Sequence, residues 1–110
     1  MRVPKPSEHV VAPFTVAFDV DGTLISEVDD TPNWPVIDLL RQFHALGARI
    51  VVWSGGGSDY AEMWVRRLNL SAFVAFASTK TAPSFFALPD LTIDDEAVTL
   101  GVANFKIGRA

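Results

Sequence analysis

Four short apolar runs, each giving way to polar or charged residues, set the strongest limit on how this chain can fold. They are Phe14-Thr-Val-Ala-Phe-Asp19, Arg49-Ile-Val-Val-Trp53, Phe73-Val-Ala-Phe76 and Leu91-Thr-Ile-Asp94. Each is near-continuously apolar and rich in β-branched or aromatic residues, as a strand buried on both faces must be. Between the first two lies a helical stripe from Trp34 to Leu46, with Val36, Ile37, Leu40, Phe43 and Leu46 recurring at helical spacing. Asn33 suits the N-cap of that helix, Pro35 its first turn and Gly47 its stop. Ser58 could cap a second helix reaching about Leu68, with Tyr60, Met63, Trp64 and Leu68 near one face. Residues 24–33 read as a polar turn, 83–88 as one or two helical turns, and 98–107 as a final strand or hairpin.

Strands alternating with helices over these distances predict an α/β fold: a doubly wound parallel sheet in three layers, with helices on both faces. The 110 residues allow one domain, assigned to 14–110. Residues 1–13 hold three of the seven prolines and read as an extended lead-in. Cysteine is absent, which removes disulfides, thiolate catalysis and thiolate zinc sites. No apolar run approaches the ~18 residues of a membrane span, so no membrane association is expected. The first residues do not read as a secretory signal, so a cytoplasmic location is expected. A net charge of −4 without any basic run does not favour a long phosphate backbone as partner.

In parallel sheets, ligands bind beyond the carboxyl ends of the strands. Here those ends carry Asp19 and Asp21, then Ser54, then Lys80, then Asp94 and Asp95. Carboxylates gathered in one place repel one another unless a cation or protons compensate them. Oxygen ligands without nearby His or Cys favour magnesium. A carboxylate facing a phosphate is a competent nucleophile, and a second acid nearby can protonate the leaving alkoxide. Lys80 offers positive charge to phosphoryl oxygens, Ser54 a hydroxyl donor, and Gly55-Gly56-Gly57 a close backbone approach.

The set Asp19-Val-Asp21-Gly22-Thr23, Val52-Trp53-Ser54, Lys80 and Asp94-Asp95 resembles the four ordered motifs of the haloacid dehalogenase (HAD) superfamily. The resemblance spans residues 14–95 and implies a HAD-like, Rossmannoid phosphatase domain. It implies Asp19 as nucleophile and Asp21 as general acid/base, with Ser54 and Lys80 completing the catalytic set. Gly22, Thr23, Ser54, Gly55 and Lys80 would bind the phosphate. Magnesium would be held by Asp19, the main-chain carbonyl of Asp21, and Asp94 or Asp95. The second acid argues for the phosphatase and phosphotransferase branches and against a dehalogenase.

The short intervals after Thr23 and between Ser54 and Lys80 leave no room for the cap domain most members carry. A capless member acts on a phosphorylated macromolecule end that closes the site itself, or on a phosphorylated small molecule beneath a lid from a second copy of the chain. A phosphotransferase sharing the same intermediate, and a non-catalytic phosphate- or partner-binding module, are the alternatives. His9 and His44 have no partner at metal-ligand spacing. Trp53, Trp64, Phe43, Phe73 and Phe76 read as core, and Trp34 as the site mouth or the helix start.

Overall fold

Strand pairing places the first apolar run at the centre of the molecule. The computed structural model describes residues 14–80 and 88–110. In chain order the elements are β1 (Thr15–Asp19), α1 (Trp34–Ala45), β2 (Arg49–Ser54), α2 (Ser58–Arg67), β3 (Val74–Thr79), β4 (Leu91–Asp94) and β5 (Ala103–Lys106). The strands form one five-stranded sheet in the order β3-β2-β1-β4-β5, and every pair is parallel. This is a Rossmann-like α/β layout. The strand order reverses between β1 and β4, where sheets of this kind open a crevice.

The alternating positions of β1 and β2 serve two faces. Val16, Phe18, Ile50 and Val52 join Ile37 and Leu40 of α1 and Ala61, Trp64 and Val65 of α2 in the main core. Ala17, Val51 and Trp53 form a smaller cluster on the other face, with Phe76 and Leu100 against it. Both described helices therefore cover the same face, whereas the sequence suggested helices on both. The reason is topological: β1→β2 and β2→β3 step in the same direction, and crossovers of one hand then land on one side. The expected lead-in over 1–13 and the expected helical turn at 83–88 lie outside the described residues, apart from the exposed coil residue Leu88.

Several local expectations shift by a residue or more. Gly57, not Ser58, is the N-cap of α2. Asn33 is the N-cap of α1 but makes no side-chain cap; its amide Nδ2–H donates instead to Thr23 O at 2.9 Å. Gly47 does stop α1, with φ +92°. The third strand extends from the expected 73–76 to Thr79, which brings Lys80 directly to its end. Leu24 and Ile25, read as part of a polar turn, are fully buried.

Segment 98–107 is no hairpin: β5 pairs parallel to β4. Such a crossover usually needs a dozen residues or more. Asn104 makes the short one work, because its Oδ1 accepts from Leu100 N, Gly101 N and Thr92 Oγ1 at 3.1, 2.9 and 2.7 Å. A Cβ at Gly101 would approach Pro89 O to 2.9 Å, so the turn leaves little space for a side chain there. Among the described residues, no helix is long and apolar enough to cross a membrane.

Candidate active site

β1 and β4 are hydrogen-bonded neighbours, so their carboxyl ends deliver Asp19 and Asp94 side by side, with Asp95 one residue beyond. All three are buried, and one carboxylate oxygen from each lies within 4.8 Å of the others. Lys80, at the end of β3, reaches between two of them: Nζ stands 3.0 Å from Asp19 Oδ1 and 2.7 Å from Asp94 Oδ2. Arg109 closes the opposite side, where Nε–H donates to Asp95 Oδ2 at 2.8 Å. Three buried carboxylates thus face two cations, and negative charge is left over.

That surplus is visible in the proton affinities. Burial, then the adjacent Asp94 charge, push the Asp19 carboxyl from 3.8 up to about 7 despite the Lys80 contact. Burial also works to raise Asp95, but contact with Asp19 and the bond from Arg109 outweigh it and hold Asp95 low. For Lys80, burial favours the neutral amine, yet Asp94 and Asp19 prevail and raise its pKa. Asp19 is thereby held toward its protonated form.

The loop after β1 is built around these groups. Gly22 adopts φ +78°, and a Cβ there would overlap Asp95 Oδ2. Thr23 is fully buried. Its Oγ1 accepts from Asp95 N at 3.1 Å and directs its own proton to Asp19 Oδ2 at 3.2 Å or Asp95 Oδ1 at 3.4 Å. The amides of Gly22 and Thr23 donate to Ile25 O and Val20 O at 2.9 and 3.2 Å. Gly22 and Thr23, expected to bind phosphate, are thus occupied in holding the carboxylates. Neither residue lines the site's cleft.

The other expected residues do meet there. A cleft of about 400 Å³ is lined by Asp19, Asp21, Ser54, Gly55, Lys80 and Asp95, with Glu27 and Glu96 also at its wall. Ser54 Oγ accepts from Gly56 N at 2.9 Å, which leaves the hydroxyl proton to donate. The backbone ties the motifs together as well, with Lys80 N donating to Ser54 O at 2.9 Å. Trp34 starts α1, is 53% exposed and does not line this cleft. His44 is exposed and stacks edge-on against Phe73.

Two residues at the site were not marked out by the sequence. Tyr60 reads as a core position by periodicity, yet its hydroxyl donates to Asp21 Oδ1 at 2.7 Å. Its place in the first turn after the Ser54 loop was the available signal. Arg109 gave none. Its position depends on β5 and on the segment beyond it, where Ile107 N donates to Asp94 O and Ala110 N to Gly22 O, both at 2.8 Å. Arg109 also faces Glu27 at 3.3 Å and Glu96 at 3.7 Å.

No family model matches the chain. It is 33% identical over 63 residues to an uncharacterized 38.0 kDa protein of Autographa californica nuclear polyhedrosis virus. An uncharacterized 36.0 kDa protein of Orgyia pseudotsugata multicapsid polyhedrosis virus matches to the same extent. The matched segment is 56% of this chain and 20% of each relative. The chain thus spans about a fifth of the length of these relatives, and neither name states an activity.

Proposed function

We propose that this chain is a magnesium-dependent phosphomonoester hydrolase of the HAD type, working through a phospho-aspartate on Asp19. The fold would then be the capless, three-layer Rossmannoid form of that superfamily. One observation carries the reading: Asp19, Lys80 and the Asp94-Asp95 pair, from three separate segments, share a single charge-unbalanced cluster at the edge of an open cleft.

The residues fit a magnesium ion. The clustered side-chain donors are all carboxylate oxygens, they lie close together, and their charge exceeds that of Lys80 and Arg109. Asp19, the Asp21 carbonyl and Asp94 or Asp95 would hold it. When bound, the metal would neutralise charge on the phosphoryl oxygens and favour the ionised form of Asp19. Lys80 stabilises the transferring phosphoryl group, and Ser54 donates its hydroxyl to a phosphoryl oxygen. Asp19 attacks phosphorus, Asp21 gives a proton to the departing alkoxide, and Asp21 then takes one from the water that releases phosphate.

The cleft is open, and the described residues at its wall include no cap. Glu27 and Glu96 there do not favour polyanionic substrates such as nucleic acid ends, so a phosphorylated small molecule is the better-supported class. Transfer to an acceptor other than water uses the same intermediate and separates from hydrolysis by product analysis with added alcohols.

The test is hydrolysis of an aryl phosphate with and without magnesium, comparing wild type with Asp19→Asn. Metal-dependent turnover that falls by at least about 10³-fold in the variant is the expected result. Turnover that survives in Asp19→Asn would remove Asp19 as nucleophile. Absence of turnover across a panel of phosphomonoesters would move the protein to the binding-module class.

A further inference from the structure

Tyr60 is the chain's single tyrosine, and it stands in the first turn of α2, just after the Ser54 loop. Its half-buried ring passes close to Gly56, where a Cβ would come within 3.2 Å of Tyr60 Cδ2. Of the three glycines in that loop, Gly56 is the crowded one, because the ring lies against it. At the far end of that ring, the phenolic O–H donates to Asp21 Oδ1 at 2.7 Å, across 39 positions of sequence. A bond this short to a carboxylate fixes geometry as well as adding energy. Packing alone would not require the hydroxyl to end on the one aspartate that lines the cleft but stands outside the three-carboxylate cluster.

We propose that Tyr60 is a positioning residue, which fixes the rotamer of Asp21 so that Oδ2 carries the proton to and from the reacting oxygen. The inference rests on the phosphatase reading above. In the first half-reaction a bond forms between an Asp19 carboxylate oxygen and phosphorus. The ester phosphorus–oxygen bond breaks, its electron pair stays with the leaving oxygen, and the proton on Asp21 Oδ2 moves to that oxygen. In the second, a water oxygen bonds to phosphorus and the Asp19 oxygen–phosphorus bond breaks, returning its electron pair to the carboxylate. The proton from water goes to Asp21 Oδ2 and restores the acid. Both transfers need the same oxygen within hydrogen-bond reach. A carboxyl free to rotate presents it only part of the time, and a phenol bonded to Oδ1 prevents that rotation.

The distinguishing consequence is a dependence on the leaving group. An alkoxide must be protonated as it departs, whereas nitrophenolate leaves as a stable anion. The experiment measures kcat/KM with magnesium for an alkyl phosphate and for p-nitrophenyl phosphate, in wild type and Tyr60→Phe. That substitution deletes only the hydroxyl and keeps the ring against Gly56. Because kcat/KM stops at the first irreversible step, the later water-activating role of Asp21 does not enter.

The expected result is a fall of about tenfold or more on the alkyl ester and less than about threefold on the aryl ester. In an Asp21→Asn background, Tyr60→Phe should then cost nothing further on the alkyl ester. An equal fall on both esters, no fall on either, or a full additional loss in the Asp21→Asn background would overturn the inference. So would wild-type turnover of the aryl ester alone, since no acid would then be at work. Wild-type turnover of neither ester would instead overturn the phosphatase reading itself, and the inference with it.

Discussion

The loops after β1 and β2 reach the same cleft from neighbouring strands, yet they are built in opposite ways. After β1 the chain turns inward: Val20, Thr23, Leu24 and Ile25 are fully buried, and Val20 O accepts from the amides of Thr23, Leu24 and Ile25. After β2 it turns outward into Gly55, Gly56 and Gly57, and a Cβ at Gly55 or Gly57 would meet nothing within 4 Å. The first loop holds charged side chains in a fixed array. The second leaves space, and only Gly56 is crowded, by Tyr60 and Ser54. Charge that must be held against its own repulsion calls for packing on all sides, whereas a phosphate approached through hydroxyl and backbone calls for room.

Adding one methyl group to each loop breaks this comparison most directly. Gly22→Ala forces a β-carbon into Asp95 at φ +78°. The backbone strain alone costs about 1–2 kcal/mol, so the variant should unfold at clearly lower denaturant and lose its magnesium-induced rise in Tm. A Gly22→Ala protein with wild-type stability would mean that the first loop is not the rigid one.

The next effect is a pH dependence. Folded Asp19 keeps its proton up to about 7, while the unfolded chain releases it near 3.8. The stability this gives is full below the lower value and is lost as pH rises through the higher one. Metal-free protein should therefore lose stability from this group between about pH 4 and 7. Protons compete with magnesium at Asp19, so the metal should raise Tm by several degrees at about pH 8 and hardly at about pH 5. Equal shifts at both pH values, read by thermal melts, would take Asp19 out of the metal site.

Arg109→Ala sharpens the comparison from the other side. Removing the cation beside buried Asp95 should lower Tm modestly without magnesium, with part of the loss regained when the metal is added. The guanidinium is more than half exposed, so solvent screening keeps this effect small. Smallest of all is Gly55→Ala, which should stay within about 0.5 kcal/mol of wild type by denaturant titration, since nothing stands where its methyl group would go.

Much of the site was legible because strand ends are legible. Asp19, Ser54, Lys80, Asp94 and Asp95 each follow an apolar run, and a parallel sheet must gather such ends on one edge. In sequence Thr23 reads as a ligand donor because its hydroxyl lies next to an acidic motif. Its burial became visible only with Asp95, 72 positions away, folded against it. The burial of Leu24 and Ile25 was hidden by the polar residues around them, since two apolar residues in a row carry no periodicity. The parallel pairing of β5 was hidden for a related reason: its residues are exposed, and its crossover depends on the side-chain bonds of Asn104 instead of a helix.

Local pattern determined the first four strands, the two helices and the residues that end each strand, because burial on one or two faces imposes a period that a short window records. Tertiary structure decided the rest. It placed both helices on one face, laid β5 parallel to β4, carried Arg109 to Asp95 and set the Tyr60 hydroxyl on Asp21. These outcomes follow from crossover direction and from contacts between segments distant in sequence. Neither leaves a mark in the neighbouring residues, so only the folded chain could show them.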